Sequence, residues 1–426
     1  MTDIEKQEII ALVKREVVPA IGCTEPMAVA LCVAKASEIL EETPQKIDLF
    51  LSANVLKNAL GVGIPGTGMI GLPIAIALGA LIGKSEYGLE VLKDCCPEAV
   101  KKGSAYIDEK RINISLKENA PQKLYIEVVC YAGDKTSKAI ISKEHTHFVE
   151  IKKNDTYILK KEIGVENHDS NDELNLSMRK VFDFAMETPL EEISFILESA
   201  EMNKKAAELS FSGNYGHSLG AFFHDTDEHS IIGDGVFSKI LAYSSGACDA
   251  RMVGAMIPVM SNSGSGNQGI SATLPIYIYA QEKNKSEEQM IRALMLSNLM
   301  VIYIKQSLGR LSALCGCVVA ATGSCCGLTW LMGGDYTQVQ FAVKNMIANI
   351  TGIICDGAKP SCALKVATGV STAILSAMMA RNNCSVTSME GIIDDDVDKC
   401  IRNLSRIGSE GMNETDKLIL EIMTTK

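Results

Sequence analysis

The chain carries little of what a nucleic acid or an anionic membrane surface would bind. Its formal net charge over 426 residues is −11, whereas such partners require basic patches. It also has a single Trp, and aromatic residues make up only 5% of the sequence. A chain of this length still buries a large core, so aliphatic and small side chains must fill it. We therefore expect small residues at helix contacts, and neither a nucleic-acid nor a membrane partner.

An export signal and an unbroken apolar run of membrane length are also missing. The first 14 residues form a charged amphipathic stretch, not the basic and then apolar order of a signal peptide. The 14 Cys residues are therefore expected to be reduced thiols in the cytoplasm, some of them metal ligands. The longest apolar runs, at 69–83 and 315–333, are too short or contain glycine, which predicts buried helices.

The six His residues do not have the spacing of a set of metal ligands. His145 and His147 would share one face of a strand, so half of a zinc site is one interpretation and exposed strand-end residues the other. Farther along, Arg251 follows Asp249 by two positions. Its guanidinium could pair with that carboxylate, which is the ordinary outcome, or with a substrate.

Hydrophobic periodicity predicts the α+β class, with an N-terminal α/β region. Helical spacing covers 2–18 and 27–40, with Pro26 and Thr24 opening the second helix, and 47–52 is predicted to be a strand. Further helices are predicted at 69–83 and 88–100. Period-two alternation then predicts an antiparallel meander of short strands at 105–108, 111–116, 124–131, 138–142, 148–152 and 157–159.

From residue 174 onward the pattern is almost entirely helical. The clearest helices are predicted at 176–187, 190–209, 236–247, 286–308, 338–350 and 363–380. The acidic, Asn-rich segment at 162–173 is the predicted boundary. We accordingly expect an N-terminal α+β domain at 1–165 and a mostly helical domain at 166–426.

Two thiols, Cys355 and Cys362, bracket a loop that contains a glycine and a proline, just before a predicted apolar helix. A third, Cys315, ends another apolar stretch upstream. Thiolates on a tight loop beside a helix start suit a metal or iron–sulfur centre, because the positive helix end stabilises ionised sulfur. Free Cys is also among the most buried residue types, so core packing is the other interpretation. Spacing alone leaves both open.

Two further loops have the composition of a ligand site. Residues 261–269 (Ser-Asn-Ser-Gly-Ser-Gly-Asn-Gln-Gly) combine glycines with small polar side chains, and a helix is predicted to begin near Gln268. Exposed amides at such a start bind carboxylate or phosphate. Cys23 lies in a loop just before the helix predicted at 27–40, a position that lowers the pKa of a thiol. We interpret both loops as candidate binding segments.

Five motifs occur in a fixed order along the chain. They are residues 22–26 (Gly-Cys-Thr-Glu-Pro), Lys57-Asn58 followed by 66–68 (Gly-Thr-Gly), 261–269, 311–315 (Leu-Ser-Ala-Leu-Cys) and 355–362. Taken together, these motifs resemble the L-cysteine desulfidase branch of the iron–sulfur-dependent L-serine dehydratase alpha-chain family. The resemblance covers essentially the whole chain, and several of its motifs are long.

The resemblance implies a catalytic 4Fe-4S cluster with three Cys ligands and one open iron. Cys317, Cys325 and Cys326 do not fall on the family's pattern and are interpreted as core. On this chain the expected ligands are Cys315, Cys355 and Cys362. The domain at 166–426 is then the catalytic one.

The implied reaction is the α,β-elimination of L-cysteine to hydrogen sulfide, ammonia and pyruvate without pyridoxal phosphate. The open iron would act as a Lewis acid on the carboxylate and the leaving sulfur. Cys23 is expected to be an ionised thiolate at neutral pH and to be the catalytic base. The expected substrate-binding residues are Thr24, Glu25, Asn54, Lys57, Asn58, Ser263, Gly264 and Asn267.

Two other functions fit the same residues. The first is L-serine ammonia-lyase, in which the leaving group is hydroxide. The second, of a different class, is a non-catalytic iron–sulfur redox or iron sensor, which would have no use for Cys23 or for a carboxylate site. We expect the enzyme, acting on a small amino acid, cytoplasmic and homo-oligomeric.

Overall fold

The computed structural model describes residues 1–162, 174–225, 232–309 and 312–425, and it confirms the α+β class. The predicted boundary segment falls almost entirely in 163–173, outside the described residues. The N-terminal part contains α1 (Asp3–Glu16), β1 (Pro19–Ile21), α2 (Thr24–Leu40), β2 (Lys46–Leu51), α3 (Ala53–Ala59), α4 (Leu72–Leu81), α5 (Pro97–Asp108), β3 (Ile112–Leu116), β4 (Tyr125–Ala132), β5 (Lys135–Ser142), β6 (Phe148–Lys153) and β7 (Thr156–Lys160).

In this part of the chain the described strands β2 to β7 form one sheet in the order β3-β2-β4-β5-β6-β7. The antiparallel meander is confirmed from β4 to β7, but β3 pairs in parallel with β2 instead of joining it. The strand predicted at 105–108 is wrong, because these residues end α5. Ala99, Gly103 and Tyr106 form the buried face of that helix, and four residues are too few to separate a helical period from alternation.

Glycine and proline also divide the segment predicted as a helix at 88–100. A 3₁₀ turn (Ser85–Glu90) contains Gly88 at a φ of +56°, and α5 begins only at Pro97. Proline is favoured in the first helical turn and breaks a helix farther in, so it sets the start. Similarly, α2 begins at Thr24 with Cys23 as its N-cap, one position before the predicted cap.

The second part of the chain is helical as predicted, with one strand that the sequence did not indicate. Its elements are α6 (Met178–Glu187), α7 (Leu190–Ile193), a 3₁₀ turn (Ser194–Ile196), α8 (Leu197–Phe211), α9 (Leu219–His224), α10 (Val236–Met252), β8 (Pro258–Met260), α11 (Gly266–Glu282), α12 (Glu287–Leu308), α13 (Gly316–Leu331), α14 (Tyr336–Ile350), α15 (Cys362–Arg381), α16 (Val397–Arg406), a π turn (Ile407–Gly411) and α17 (Asn413–Thr425). The single helix predicted at 190–209 is wrong, since the 3₁₀ turn divides it.

Among the described residues, two large hydrophobic clusters form most of the core. One cluster contains residues of α2, of α4 and of the β2–β4–β5 face of the sheet. The other contains residues of all the helices from α10 through α16. The first and last helices each pack in the cluster formed by the other part of the chain. Ile9 and Val13 of α1 lie in the helical cluster, whereas Leu420 of α17 lies in the sheet cluster. The domain division at 165/166 stays a prediction.

A two-stranded ribbon connects the beginning of the chain to the polar loop at 261–269. β1 pairs antiparallel with β8, so that Pro19 lies opposite Met260. Two further backbone hydrogen bonds extend the ribbon: Ser261 N–H donates to Val18 O at 2.9 Å, and Ser263 N–H donates to Glu16 O at 3.0 Å. The Cys23 loop and the polar loop are thereby held together across about 240 positions of sequence, as their hydrogen bond between Thr24 and Gly264 shows.

A second short pairing brings two of the predicted cluster ligands together. Cys315 N–H donates to Ile353 O at 2.9 Å, and Cys355 N–H donates to Ala313 O at 2.7 Å. These antiparallel bonds lie just before α13 and just before the loop at 356–361. Cys315 and Cys355 are consequently neighbours in space, although the sequence separates them.

We predict that Gly357→Ala destabilises this loop. Gly357 has a φ of +88°, and a Cβ there would lie 2.3 Å from Lys57 O in α3. The left-handed backbone costs Ala about 1 kcal/mol, and the overpacking adds about 1–3 kcal/mol to the loss in free energy of unfolding. Urea unfolding of the full chain measures the sum.

The matched control is Gly391→Ala. Gly391 has a φ of +61°, but an added Cβ would meet no atom within 4 Å. This variant should lose only the backbone contribution, about 1 kcal/mol. Equal losses in the two variants would contradict the close packing of the loop against α3.

One described helix, α15, has the length and composition that could cross a membrane. Of its most apolar window, 61% is buried inside the fold, and core helices commonly pass the same test. The apolar runs predicted to be buried helices contain α4 and α13, and most residues of both helices are buried.

Candidate active site

Within the described residues, the first residues of four helices line one cavity of about 100 Å³. Cys23, Ser265 and Cys315 are the N-caps of α2, α11 and α13, and Cys362 is the first residue of α15. The positive ends of helix dipoles and their free amide groups favour negative charge at such positions. These helix starts therefore direct positive potential at the cavity, which favours an anionic ligand group.

Cys23 and Glu25 form a buried thiol–carboxylate pair at the cavity wall. The Cys23 thiol donates to Glu25 Oε2 at 3.0 Å, and both side chains are more than 90% buried. Burial and the adjacent Glu25 carboxylate raise the pKa of Cys23 well above the usual value, although Arg251 opposes them. The expectation that Cys23 is ionised at the helix start is therefore wrong. Desolvation outweighs the helix dipole here, because the thiolate would be buried next to a carboxylate.

Glu25 is the charged member of this pair. Burial alone would raise its pKa, but His145 and the hydrogen bond from Cys23 lower it below the ordinary value. Asn58 Nδ2 donates to the other carboxylate oxygen at 3.1 Å, and Thr24 Oγ1 donates to Oε2 at 3.2 Å. Hydrogen bonds of this kind favour the ionised form. The pair thus holds its proton on sulfur.

The three thiols predicted as cluster ligands all line the cavity: Cys315, Cys355 and Cys362. Cys317 lines it as well, and its Sγ lies 3.3 Å from that of Cys315. The hydrogen bond from Cys317 lowers the pKa of Cys315 to about 7, whereas burial raises that of Cys362 to about 11. The interpretation of Cys317 as a core residue is confirmed by its burial in the helical cluster, but the same side chain also lines the cavity. Cys325 and Cys326 are buried in α13 and do not line the cavity.

Basic residues surround the thiol loop. Lys359 and Lys365 both bind Asp356, and although burial opposes them, they lower the pKa of that carboxyl to about 2. Lys57 opposes the rise in pKa that burial imposes on Cys355. These cations offset the negative charge that several thiolates would bring into a low-dielectric cavity.

This donor set fits an iron–sulfur cluster better than a single metal ion. No group of three or more His, Cys, Asp or Glu in the described ranges has the spacing of a single-ion site. A cluster of several irons keeps its ligands farther apart than one ion does, and all-thiolate ligation is typical of such clusters. Cys315, Cys355 and Cys362 line one cavity, two of them at helix starts, and they offer ligation by thiolates alone.

Unsatisfied polar atoms mark the remainder of the wall. Among described residues at the cavity, Asn58 Oδ1, Arg251 Nε and Gln268 Oε1 are buried without a hydrogen-bond partner. Native proteins leave few such atoms, and each calls for an explanation. Ser263 and Gly264, both with positive φ, bend the polar loop around the same space. The cavity thus offers donors and acceptors to a small polar ligand.

Arg251 does not pair with Asp249, contrary to the ordinary outcome. Asp249 accepts hydrogen bonds from the backbone N–H groups of His217 and Gly220, at 3.2 Å and 3.0 Å. Arg251 Nη1 instead donates to Asn267 Oδ1 at 3.0 Å. The guanidinium therefore faces the cavity from α10 while Asp249 holds the segment before α9.

Most of the predicted substrate residues line the cavity, but two do not. Lining it are Thr24, Glu25, Asn58, Ser263, Gly264 and Asn267. Asn54 Nδ2 donates to Asp416 Oδ2 at 2.7 Å, and Lys57 forms an ion pair with the same carboxylate. Both side chains therefore attach α17 to α3, and their placement does not support a role in binding substrate.

We predict that Asp416→Asn destabilises the protein without changing KM for L-cysteine, the substrate that the resemblance implies. Lys57 is 1% exposed, so this substitution leaves a buried ammonium without its carboxylate. The expected loss in free energy of unfolding is about 3 kcal/mol, at the lower end for a broken buried pair, because Asp416 is partly exposed. Chemical unfolding and steady-state kinetics on one preparation measure both quantities.

Glu414→Gln is the control on the same helix, since Glu414 pairs with Lys417 at the surface. Its expected cost is below about 0.5 kcal/mol. A rise in KM for Asp416→Asn with unchanged stability would argue instead that Lys57 reaches the substrate.

The predicted set of site residues left out His145, Arg251, Gln268 and Lys305, which line the cavity. The sequence had left a substrate role open for Arg251, suggested a zinc role for His145 and placed Gln268 in the polar loop, but it did not single out Lys305. His145 is buried, whereas His147 hydrogen-bonds Ser142 O and Lys161 and is not among the lining residues. Neither the zinc nor the strand-end interpretation therefore describes His145. Periodicity places Lys305 among apolar residues of a predicted helix. A charged residue at such a position was the available signal of a functional site.

The fold and site together define a class of protein. A helical body encloses a thiol-lined centre, and a hydrogen-bonded thiol–carboxylate pair reaches the same cavity from the N-terminal part. Such a combination of perturbed thiols and unsatisfied polar atoms in one cavity is typical of an enzyme active site.

Comparison with known proteins identifies the family. The model of the serine dehydratase alpha chain family matches residues 86–421. A UPF0597 protein of Bacteroides fragilis is 69% identical over 426 residues and covers 100% of both chains. A relative in Bacteroides thetaiotaomicron is 66% identical over 426 residues, with 100% of this chain and 99% of the relative aligned. Another, in Oleidesulfovibrio alaskensis, is 42% identical over 428 residues, which is 99% of each chain.

The chain therefore belongs to the serine dehydratase alpha chain family. Membership implies a lyase-type enzyme with a serine dehydratase-like function in amino-acid catabolism. The family is generally iron–sulfur dependent, in agreement with the donor set of the cavity. The name UPF0597, which these relatives share, specifies no reaction.

Proposed function

We propose that this protein converts L-cysteine to hydrogen sulfide, ammonia and pyruvate by α,β-elimination. The observation that carries the proposal is that one buried cavity contains both a set of cluster-type thiols and the Cys23–Glu25 pair. An elimination needs a group that removes the α-proton and a site that stabilises the leaving sulfur. The two halves of the cavity match these two needs.

Cys315, Cys355 and Cys362 would hold a 4Fe-4S cluster. When bound, such a cluster with three protein ligands supplies a Lewis-acidic iron, which needs no pyridoxal phosphate. The basic residues near the loop and the starts of α13 and α15 favour the ionised thiols that ligation requires.

Cys23 is our candidate for the base, with Glu25 as its proton acceptor. The thiol proton already lies in a hydrogen bond to Glu25 Oε2, so its transfer produces a thiolate and a neutral carboxylic acid. The thiolate then takes the α-proton of the substrate, and the Cα electrons form a Cα–Cβ double bond as the Cβ–S bond breaks. The departing sulfide takes the proton from Glu25 and leaves as hydrogen sulfide, which restores the Cys23 thiol and the Glu25 carboxylate. Aminoacrylate remains, and water hydrolyses it to pyruvate and ammonia. Asn58 and Thr24 hold Glu25 in position for the first transfer.

Two alternatives use the same residues. L-serine ammonia-lyase agrees directly with the family name, and it differs only in the leaving group. A sensor without catalysis would need neither the buried Cys23–Glu25 pair nor the unsatisfied polar atoms around it. Because a thiol leaves as sulfide more readily than a hydroxyl leaves as hydroxide, we favour L-cysteine.

The test is anaerobic reconstitution of the full chain with iron and sulfide, followed by product assays. Sulfide and pyruvate from L-cysteine are compared with pyruvate from L-serine at equal enzyme concentration. We expect a higher kcat/KM for L-cysteine. A preference for L-serine would replace the substrate, whereas no product from either amino acid, or equal turnover by iron-free protein, would reject the iron–sulfur lyase.

A further inference from the structure

Arg251 is a buried cation whose protein contacts leave its charge uncompensated. It lies in the last turn of α10, is 2% exposed and lines the cavity. Its Nη1 donates to the neutral amide oxygen of Asn267, and its Nε has no partner. No carboxylate in the described parts of the chain forms an ion pair with it. Burying an unpaired charge is costly, so an anionic partner is missing from the protein itself.

The start of α11 packs so closely against this guanidinium that only a glycine fits there. A Cβ at Gly266, the first residue of α11, would lie 2.2 Å from Arg251 Nε. Asn267, the next residue, supplies the hydrogen bond that fixes the Nη1 end. The start of α11 thus adds its own positive dipole end to the same side of the cavity. Two independent sources of positive potential converge where the Nε–H is unsatisfied.

The charge pattern of the cavity matches one class of ligand. Glu25 supplies a carboxylate, and Arg251 supplies a cation; both charges act on Cys23, since Glu25 raises and Arg251 lowers the pKa of its thiol. An α-amino acid carries an ammonium and a carboxylate on the carbon whose proton would be removed. A planar guanidinium also matches a carboxylate with two parallel hydrogen bonds.

We propose that Arg251 is the residue that binds the α-carboxylate of the substrate, with Asn267 as the residue that orients its guanidinium. This inference rests on the proposed function in one respect, namely that the ligand is an α-amino acid. Lys305 is the other cation at the cavity wall. Arg251 is favoured because it lines the cavity together with Cys23 and Glu25, its Nε lacks a hydrogen-bond partner and its observed protein contact is neutral.

The test measures binding and does not depend on turnover. L-Alanine has the carboxylate and ammonium of the substrate but no leaving group, whereas cysteamine has the thiol and ammonium but no carboxylate. Calorimetric titration of the reconstituted full chain gives Kd for both compounds. In Arg251→Met we expect the affinity for L-alanine to fall about 100-fold, the usual scale for loss of a buried charge-assisted contact. Cysteamine should change by less than about threefold, since no contact to it is removed.

Three further variants separate this role from a structural one. Arg251→Lys keeps the charge but loses the planar pair of donors, so it should recover part of the L-alanine affinity. Arg292→Met removes a partly buried arginine that binds Ala185 O and Thr188 O elsewhere, and it should leave both affinities unchanged. Lys305→Met tests the competing cation and should weaken L-alanine binding less than Arg251→Met does.

Equal losses for L-alanine and cysteamine in Arg251→Met would overturn the proposal, because they would indicate general damage to the cavity. Unchanged L-alanine binding in that variant would overturn it too, as would a larger effect of Lys305→Met or a failure of the wild-type protein to bind L-alanine. Binding of L-alanine that depends on Arg251, in a protein that does not turn over L-cysteine, would reject the proposed function and retain this assignment.

Discussion

Replacing Cys23 by alanine is expected to lower kcat for L-cysteine about 100- to 10,000-fold, the range for loss of a general base. Iron content and helical circular dichroism should remain at wild-type values, because Cys23 belongs to the Glu25 pair and not to the predicted ligand set. The fold should lose only about 1 kcal/mol, since one hydrogen bond to Glu25 disappears while those from Asn58 and Thr24 remain.

Cys32→Ala is the matched control for this prediction. Cys32 lies on the same helix, is fully buried and donates to Ala139 O, but it does not line the cavity. Its loss should cost stability of similar size and leave kcat unchanged. Retention of wild-type kcat by Cys23→Ala would remove Cys23 from the mechanism and leave Glu25 or His145 as the group to test.

Replacing Cys362 by alanine should remove both the cluster and the activity. Loss of a residue that only hydrogen-bonds a metal ligand already lowers metal affinity about 10- to 100-fold, so loss of one of three ligands should lower it more than about 100-fold. The measurements are iron per chain after gel filtration under nitrogen, the visible absorbance of the cluster, and pyruvate formation. Cys315→Ala and Cys355→Ala should behave in the same way.

Substitutions of Cys317 and Cys326 test whether loss of the cluster is specific to the three predicted ligands. Cys326→Ala changes a buried thiol of α13 outside the cavity, so iron and activity should persist. Cys317→Ala removes the hydrogen bond to Cys315, and we expect the cluster to form but to be lost more readily. If Cys317→Ala abolishes iron binding while Cys315→Ala does not, the ligand assignment must move to Cys317.

The sequence predicted the larger elements because their signals are local. Apolar spacing of 3.6 residues placed α12, α14 and α15 to within two residues, and alternation placed β4 to β7. The errors occurred where local signals are ambiguous: four residues at 105–108, and the segment from 88 to 100, where glycine and proline interrupt the helix. The three-residue β8 left no periodic signal at all, since it exists only through its pairing with β1.

The prediction of site residues likewise succeeded where the signal is local and failed where it depends on the fold. The loops that contain Cys23, the residues at 261–269 and the thiols were indicated by residue type beside helix starts. Lys57 looked like a ligand residue, but Asp416, 359 positions away, binds its ammonium. For Arg251 and His145 the sequence left two interpretations open, and what marks both residues is their burial beside a cavity. A buried charge can be recognised only when its surroundings are known.

By itself, then, the sequence determined the family, the α+β class, the helix starts and the thiol loop, because each depends on residue types a few positions apart. The tertiary structure decided what meets at the cavity. The β1–β8 ribbon brings Cys23 to the polar loop, and the pairing around Leu314 and Ile354 brings Cys315 to Cys355. It also raised the pKa of the Cys23 thiol, since desolvation and the neighbouring charge of Glu25 arise only on folding.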